Sequence, residues 1–493
     1  MRRLLSGMLG VGLVVGVSAG AALAAPAGDD DGARVAGGGD GGGELTYAET
    51  LEFGLEDIQA FWDETLPDVY GLPYRELRDD QIIPYDEDTP ESRLPACGEE
   101  DVTYEDLAEN AFYCVLGAED EEDFVAYDDG SLFPRLFEDF GPFALVQVLA
   151  HEWGHAIQGQ VFDFDTFVNA PSVQKELQAD CYAGAYVDWV DEGNSEAFVL
   201  DPGDLETGLA GMLEFKDPVG TDPTEQGAHG NGFDRANAFS EGIEQGALRC
   251  AQYDDITRMP PVTEIAFSTE EDFLNEGNLP LDEAIDAGIA DLDYYWDAVF
   301  AVNDLVYPGV EVVDGFDVRR RSQLRECEAL GLNPNRPKQY REQVFYCPGE
   351  GFIAYDEDLI EAVHGQIGDF GAMLLIGNAW AAAMQEELEL EGAALQADCF
   401  TGAWAGSIPL DIDGDGVGDY SARGSEVVRD PEFGNAEIFL SPGDLDEVVV
   451  AFLAFSEPTS EQGDEQSAFE RLASFRGGFF SVTAEEDCAA VTE

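Results

Sequence analysis

One predicted helix carries three residues whose types and spacing could build a metal-dependent hydrolytic site. His151 and His155 stand four residues apart in the run HEWGH, and Glu152 follows the first of them. Residues i and i+4 share a face of a helix, so both imidazoles can bind one metal ion. Glu152 would then lie beside the open coordination position, where a carboxylate can deprotonate a water molecule. The chain has only 4 histidines, so chance is a poor explanation for this motif.

A hydrolytic zinc site needs a third protein ligand and leaves its fourth position to water. Downstream of the motif, Glu176 and Asp180 stand four residues apart and share a face of a second predicted helix. We predict that Glu176 binds the zinc and that Asp180 accepts the N–H of a ligand imidazole. The alternative for Glu176 is an ordinary surface carboxylate in a very acidic chain.

Several strings of residues occur twice along the chain, in the same order. They are FYC at 112–114 and 345–347, LQADC at 177–181 and 395–399, and PGDL at 202–205 and 442–445. This order predicts a tandem duplication. Gln158 is aligned with Gln385, and the two LQADC strings are aligned with each other. The second copy then lacks all four proposed site residues, because the aligned positions hold Asn378, Ala379, Ala382 and Ala394. We therefore expect a degenerate second copy that binds no zinc there, and the joint loss favours Glu176 as a ligand.

Each copy holds four cysteines in matching places. Eight cysteines in an exported chain favour disulfides over free thiols. The simplest pairing keeps every bridge within one copy, and it joins Cys97 to Cys114, Cys181 to Cys250, Cys327 to Cys347, and Cys399 to Cys488.

The N-terminal segment and the bounds of the two copies predict how the chain is organised. Residues 1–25 begin with two arginines, continue with an apolar stretch and end in small residues, which is typical of a cleaved signal peptide. An uncleaved membrane anchor is the alternative. The predicted order is a Gly/Asp-rich linker at 26–44, the copy with the motif at 45–258, a linker at 259–282 and the degenerate copy at 283–493. The predicted fold class is α+β, mainly helical with a few short strands, and the predicted location is extracytoplasmic.

Acidic residues dominate the charge of the chain. It has 104 Asp and Glu against 23 Lys and Arg, a formal net charge of −81. Such a chain would repel a phosphate backbone, so nucleic acid is excluded as a partner. An acidic surface of this kind suits a saline medium, where salt screens the repulsion between carboxylates. No later apolar run reaches the length of a membrane span, so no membrane partner is expected after signal cleavage.

One further histidine could take part in catalysis. His229 stands where the second copy has Glu465, so it is lost together with the site. It could donate a hydrogen bond to the oxyanion that develops during peptide hydrolysis. The alternative is a helix-start or surface histidine. His364 has no such context and is predicted to be structural.

A candidate calcium loop lies in the second copy. Its carboxylates have the loop spacing 1, 3, 5 and 9, with a glycine at position 6; they are Asp411, Asp413, Asp415 and Asp419. The twelfth position is Ala422, so the usual bidentate glutamate is absent. The sequence predicts a weak or structural calcium site, and an acidic turn is the alternative.

Taken together, the motifs resemble one family of bacterial proteins. They are Ala96-Cys97-Gly98, FYC, HEWGH, ELQADC-x-AG, GDL and HG-x(4)-R. Over nearly all of 45–255 this set resembles the putative neutral zinc metallopeptidase family. The resemblance implies a zincin-like fold and a zinc-dependent endopeptidase, with His151 and His155 as ligands, Glu152 as the catalytic carboxylate and a peptide as substrate. The second, site-less copy departs from the family pattern.

Two other hypotheses remain open from the sequence. In one, the protein is a secreted peptide- or protein-binding module in which zinc and calcium are structural and nothing is catalysed. In the other, the first copy is a peptidase and the second copy is an exosite or an intramolecular partner that packs on it.

Overall fold

The chain forms two compact units, Met1–Glu264 and Ile265–Glu493. The computed structural model describes residues 45–97, 102–116, 122–200, 203–222, 227–263, 267, 270–313, 315–390, 393–410, 420–421, 439–456, 467–481 and 484–491. The predicted signal peptide, the linker at 26–44 and the calcium loop with Asp411, Asp413, Asp415 and Asp419 lie outside the described residues, and they stay predictions.

The first unit is built mainly from helices. They are α1 (Tyr47–Tyr70), α2 (Tyr104–Leu107), α3 (Leu132–Phe140), α4 (Pro142–Val161), α5 (Phe164–Asn169), α6 (Ser172–Asp191), α7 (Asp204–Leu213), α8 (Gly232–Gln245) and α9 (Ala247–Cys250). Its strands are β1 (Ile82–Tyr85), β2 (Ala111–Cys114) and β3 (Phe124–Asp128).

These three strands form a small sheet in the order β1-β3-β2, so β2 lies at an edge. β1 runs parallel to β3, and β2 runs antiparallel to it with Phe112 opposite Ala126. Every residue of β2 and β3 is buried. Helix α4 packs against both strands, so the sheet and the helix of the HEWGH motif share one core.

The second unit has a similar composition of elements. Its helices are α10 (Glu270–Leu274), α11 (Leu281–Val302), α12 (Glu357–Gln366), α13 (Asp369–Glu387), α14 (Ala394–Ala405), α15 (Asp444–Phe455), α16 (Ala468–Phe480) and α17 (Ala484–Ala489). Its strands are β4 (Glu311–Val312), β5 (Val344–Cys347), β6 (Phe352–Tyr355), β7 (Pro409–Leu410) and β8 (Tyr420–Ser421). The predicted fold class, α+β and mainly helical, is confirmed. Of the helices described, none is long and apolar enough to cross a membrane.

Helix α4 is buried along most of its length and lies against the backbone of α6. It begins at Pro142, whose fixed φ and missing N–H suit the first turn of a helix. Trp153 is fully buried and donates a hydrogen bond from Nε1 to the Tyr74 hydroxyl at 3.0 Å, which fits a packing role. A Cβ added at Gly154 would lie 2.8 Å from the Cα of Ala179. The motif glycine therefore permits the close approach of α4 and α6.

The eight cysteines form four bridges, all within a unit. The pairs are Cys97–Cys114, Cys181–Cys250, Cys327–Cys347 and Cys399–Cys488. They are the pairs that the internal repeat predicts. The second bridge ties α6 to α9, and the fourth ties α14 to α17.

The two units also repeat a close helix contact. A Cβ added at Gly242 in α8 would lie 1.9 Å from the carbonyl oxygen of Cys181, and one added at Gly478 in α16 would lie 1.9 Å from that of Cys399. Such parallels are those expected of a tandem duplication, which stays an interpretation of the sequence. The predicted packing of the second copy on the first likewise stays a prediction.

Each end of the predicted linker at 259–282 makes a hydrogen bond within one of the units. In the first unit, the Thr263 N–H donates to Oδ2 of Asp234 at 2.8 Å. In the second unit, the Leu279 N–H donates to Oδ2 of Asp369 at 2.9 Å, and α11 already begins at Leu281. Hydrogen bonds to buried carboxylates thus hold both ends of this segment, and its assignment as a linker stays a prediction.

We expect Gly154→Ala to destabilise the first unit, because the new Cβ would meet backbone that cannot rotate away. Overpacking of this kind lowers the free energy of unfolding by about 1–3 kcal/mol, measurable by urea unfolding. Gly365→Ala is the control, since nothing lies within 4 Å of a Cβ at that helical position. It should be neutral or stabilising by about 0.5–1 kcal/mol. An unchanged unfolding midpoint for Gly154→Ala would contradict the close contact.

Candidate metal centre

Three side chains from two neighbouring helices converge on one point in the first unit. His151 and His155 lie on α4, and Glu176 lies on α6. Nε2 of His151 is 3.3 Å from Oε2 of Glu176, and Nε2 of His155 is 3.4 Å from the same oxygen. One donor atom from each of the three residues lies within 4.8 Å of the others. The structure therefore brings together all three zinc ligands predicted from the sequence.

The second nitrogen of each imidazole is held by a neighbouring side chain. Nδ1 of His151 is 2.7 Å from Oδ1 of Asp180, and Nδ1 of His155 is 3.0 Å from Oε1 of Gln158. Acceptors at Nδ1 place the proton there and leave the lone pair of Nε2 for a metal. The role predicted for Asp180 fits this arrangement.

Gln158 is a site residue that the sequence analysis missed. Its Nε2 donates to the backbone oxygen of Lys175 at 2.8 Å and to Oε1 of Gln178 at 3.0 Å. These bonds fix the amide so that its oxygen faces His155. The alignment of Gln158 with Gln385 in the second copy was the signal that could have identified it.

Asp180 forms a second strong interaction on its other side. Nε of Arg235 donates to Oδ2 of Asp180 at 2.8 Å, and its NH2 group donates to Oδ1 at 2.8 Å. Burial raises the pKa of the Asp180 carboxyl, but Arg235 and His151 together bring it below its ordinary value. Asp180 therefore stays ionised while it orients His151. Arg235 belongs to the HG-x(4)-R motif, yet the sequence assigned it no role.

Glu152 lies beside the ligands and is also buried, with 7% of its surface exposed. Its Oε2 has no hydrogen-bond partner among the described residues. Burial raises its pKa, and the nearby His151 and His155 offset this only in part. A carboxylate that has a raised pKa and an oxygen without a hydrogen-bond partner (an open oxygen) is suited to accept a proton.

His229 lines the same pocket as the ligands and Glu152. Its Nδ1 is 3.1 Å from Oδ1 of Asp217, and its backbone N–H donates to Oδ2 of that residue at 2.7 Å. Burial lowers the pKa of His229, but Asp217 and the carboxylate of Glu176 raise it above its ordinary value. A protonated imidazole in the pocket can donate to a developing oxyanion. No spacing rule pointed to Asp217, which the sequence analysis missed.

The rest of the pocket wall is largely apolar. It includes Phe112, Tyr113, Val148, Phe167, Met212 and Phe215. Residues 109–113 line it consecutively, so β2 and the turn before it run along one side of the pocket. The ammonium group of Lys175, also in the wall, lies 4.9 Å from the ring centre of Phe167.

The second unit keeps the equivalent of the Asp180–Arg235 ion pair but lacks the metal ligands. Asn378, aligned with His151, donates from Nδ2 to Oδ1 of Asp398 at 2.8 Å. Arg471 donates to both oxygens of Asp398 at 2.8 Å each, as Arg235 does to Asp180. Ala382 and Ala394 stand at the other ligand positions, and alanine has no donor atom for a metal. A zinc site of the same kind is therefore absent from this part of the unit.

The donor set of the first unit fits a catalytic rather than a structural zinc. Two imidazoles and one carboxylate are a usual set of three protein ligands when a fourth position stays open. All eight cysteines are bridged, so no thiolate can close the site. The open oxygen of Glu152 is the group that such a site requires beside its fourth position.

We expect Asp180→Asn to weaken zinc binding by about 10–100-fold, the usual effect of removing a carboxylate that orients a ligand histidine. Competition with a chromophoric chelator measures the affinity. Asp398→Asn is the matched control, because it changes the equivalent frame residue of the unit without ligands. Equal zinc affinity in the wild type and Asp180→Asn would contradict the orienting role, provided that circular dichroism shows both variants folded.

Comparison with known proteins agrees with this geometry. Residues 96–252 match the model of a family described as putative neutral zinc metallopeptidase. The uncharacterized protein Rv2575 of Mycobacterium tuberculosis is 31% identical in a match that covers 27% of this chain and 52% of that protein. The uncharacterized protein YpfJ of Escherichia coli K12 is 32% identical, over 27% of this chain and 50% of that protein.

The chain thus spans about half the length of these curated relatives. No solved structure matches it significantly. The family match covers the HEWGH motif, Glu176, Asp180, His229 and Arg235. Residues 96–252 therefore resemble the putative neutral zinc metallopeptidase family, and this match supports a zinc peptidase domain within the first unit.

Proposed function

We propose that the protein is an exported zinc-dependent endopeptidase whose first unit cuts peptide bonds. The observation that carries the proposal is the meeting of three metal-binding side chains next to a buried carboxylate with an open oxygen. Nε2 of both histidines faces Oε2 of Glu176 at 3.3 and 3.4 Å, and Oε2 of Glu152 has no partner among the described residues.

Each group in the pocket would have a separate task. Zinc held by His151, His155 and Glu176 would supply a Lewis acid that polarises a peptide carbonyl and lowers the pKa of water. Glu152 accepts a proton from the attacking water, for which its raised pKa suits it. It then passes this proton to the nitrogen of the leaving amine.

His229 would stabilise the charge that develops on the carbonyl oxygen. Asp217 holds its ring through Nδ1 and holds its backbone through the N–H, so Nε2 is left to donate. Because the bond to Asp217 is present before substrate binds, the donor needs no reorganisation during the reaction.

The substrate would bind as an extended peptide beside β2. This strand is at the edge of its sheet, and residues 109–113 line the pocket one after another. An edge strand offers backbone groups to which an extended chain can add. Phe112, Phe167 and Phe215 in the wall favour an apolar side chain near the cleaved bond. A peptide bound along a strand can continue in both directions, which suits an endopeptidase.

The cysteine chemistry and the charge support the proposed export. All eight cysteines are bridged, and disulfides of this kind persist in oxidising compartments outside the cytoplasm. The proposed signal peptide at residues 1–25 would direct the chain there. A net charge of −81 suits a saline surrounding in which like charges are screened.

A binding module with a structural zinc is the second candidate, and the site disfavours it. Structural zinc is usually closed by a fourth protein ligand, most often a cysteine. No free thiol exists in this chain. A purely structural metal would also give no reason for a buried carboxylate with an open oxygen beside it.

The proposal predicts different effects for Glu152→Gln and Glu176→Ala. Glu152→Gln should keep one zinc per chain and lose cleavage by about 10²–10⁴-fold, since it removes only the proton acceptor. Glu176→Ala should lose both zinc and cleavage. Metal analysis and hydrolysis of two mixed pools of peptides, one with blocked ends and one with free ends, measure the two properties.

Glu138→Gln, which changes an exposed carboxylate of α3, is the control and should change neither. Equal zinc content in all variants with no cleavage by any of them, the wild type included, would reject the peptidase in favour of a binding protein. Cleavage of peptides with free ends alone would reject the endopeptidase and retain the zinc peptidase.

His229→Ala should lower kcat by about 10²–10³-fold with little change in KM, because the hydrogen bond strengthens in the transition state. Its zinc content should equal that of the wild type. His364→Ala is the matched control, since His364 lies in the second unit, where its Nε2 donates to the backbone oxygen of Leu279 at 2.8 Å. A fall in zinc content parallel to the fall in kcat would assign His229 to metal binding instead.

A further inference from the structure

Three buried carboxylates meet in the second unit, at positions that do not correspond to the zinc site. Asp369 is the first residue of α13, and Asp444 and Glu447 lie in the first turn of α15. One carboxylate oxygen of each lies within 4.8 Å of the other two. Their exposed fractions are 7%, 3% and 7%. We call these residues the α13–α15 cluster.

Cationic side chains neutralise Asp369 and Glu447 poorly. No salt bridge among the described residues reaches either carboxylate, although His364 attracts that of Asp369 electrostatically. Oδ2 of Asp369 accepts the Leu279 N–H at 2.9 Å, and Oε2 of Glu447 accepts the Gly371 N–H at 3.0 Å. Oδ1 of Asp369 is buried and has no hydrogen-bond partner among the described residues. An open carboxylate oxygen among buried carboxylates is a costly arrangement unless a cation binds there.

The backbone is shaped to admit one of these carboxylates. Gly368 precedes Asp369 and has φ +145°, a conformation that side chains disfavour. A Cβ at that position would lie 1.9 Å from Oε1 of Glu447. The position is therefore restricted to glycine by both its conformation and the carboxylate packed against it.

Most of the residues aligned with the cluster in the first unit are not acidic. The alignment of Gln158 with Gln385 sets Pro142 opposite Asp369, and the PGDL strings set Thr207 opposite Glu447. Only Asp444 has an acidic counterpart, Asp204. Two of the three carboxylates are thus particular to the second unit, which lacks the ligands for zinc.

We propose that Asp369, Asp444 and Glu447 bind one calcium ion that joins the start of α13 to the start of α15. Three carboxylates without nitrogen or sulfur donors are a hard oxygen set, which suits calcium or magnesium rather than zinc. Calcium tolerates irregular oxygen geometry and mixed one- and two-oxygen binding, whereas magnesium demands a near-octahedral set. The proposal does not depend on peptidase activity.

Calcium titration of the zinc-loaded, full-length protein tests the proposal. Calorimetry in a buffer with high sodium chloride suppresses weak binding to the acidic surface. The wild type should show a saturable calcium site, and Glu447→Gln and Asp369→Asn should lose it. Asp411→Asn combined with Asp413→Asn should keep it, because these residues belong to the separate candidate loop. Magnesium should compete poorly.

Hydrogen exchange of the wild type provides a readout that needs no variant. Calcium should slow exchange in the peptides that contain the first turns of α13 and α15. In a separate thermal melt, calcium should raise the melting temperature of the wild type but not of Glu447→Gln. Loss of the site in the loop variant, or no calcium effect on either region, would overturn the proposal. A calcium affinity of Glu447→Gln equal to that of the wild type would overturn it as well, since the ion would then not be bound by the cluster. Zinc content and peptide cleavage are measured separately, so failure here leaves the peptidase proposal intact.

Discussion

The interactions of one buried carboxylate, that of Asp180, determine how the helices of the first unit meet. It lies on α6, accepts a hydrogen bond from His151 on α4, and pairs through both oxygens with Arg235 on α8. A buried charge that loses its partner destabilises a protein by about 3–5 kcal/mol, so each helix is held to a narrow set of positions. The orientation of His151, and with it the direction of Nε2, is a consequence of this constraint.

The second unit shows which interactions helix packing needs and which only a metal needs. Asp398 and Arg471 retain the double hydrogen bond, and Asn378 supplies the third partner without being a metal ligand. Burial raises the pKa of Asp398, and Arg471 and Asn378 offset this only in part, whereas Arg235 and His151 together bring the pKa of Asp180 below its ordinary value. The frame is thus stable without imidazole, and the ligand positions could change to alanine with little effect on helix packing.

In the proposed mechanism, the surroundings of the pocket set the pKa values of two groups. Burial raises the pKa of Glu152. Burial lowers the pKa of His229, but Asp217 and Glu176 raise it above its ordinary value. Two neighbouring groups are thereby suited to opposite tasks, one to accept a proton and one to donate a hydrogen bond. The apolar wall around the site strengthens the interactions between these charged groups, since water would screen them.

Features that depend on local geometry or on internal comparison could be predicted from the sequence. The four-residue spacing of the HEWGH motif places both histidines on one helix face wherever that helix lies, and the loss of the aligned residue in the predicted second copy pointed to Glu176. The distant groups that support these residues became evident only in the folded chain. Arg235 reaches Asp180 across 55 residues and Glu447 reaches the Gly371 N–H across 76, and no periodicity encodes such pairs. They are set by the crossing of packed helices, where burial makes each polar group find a partner.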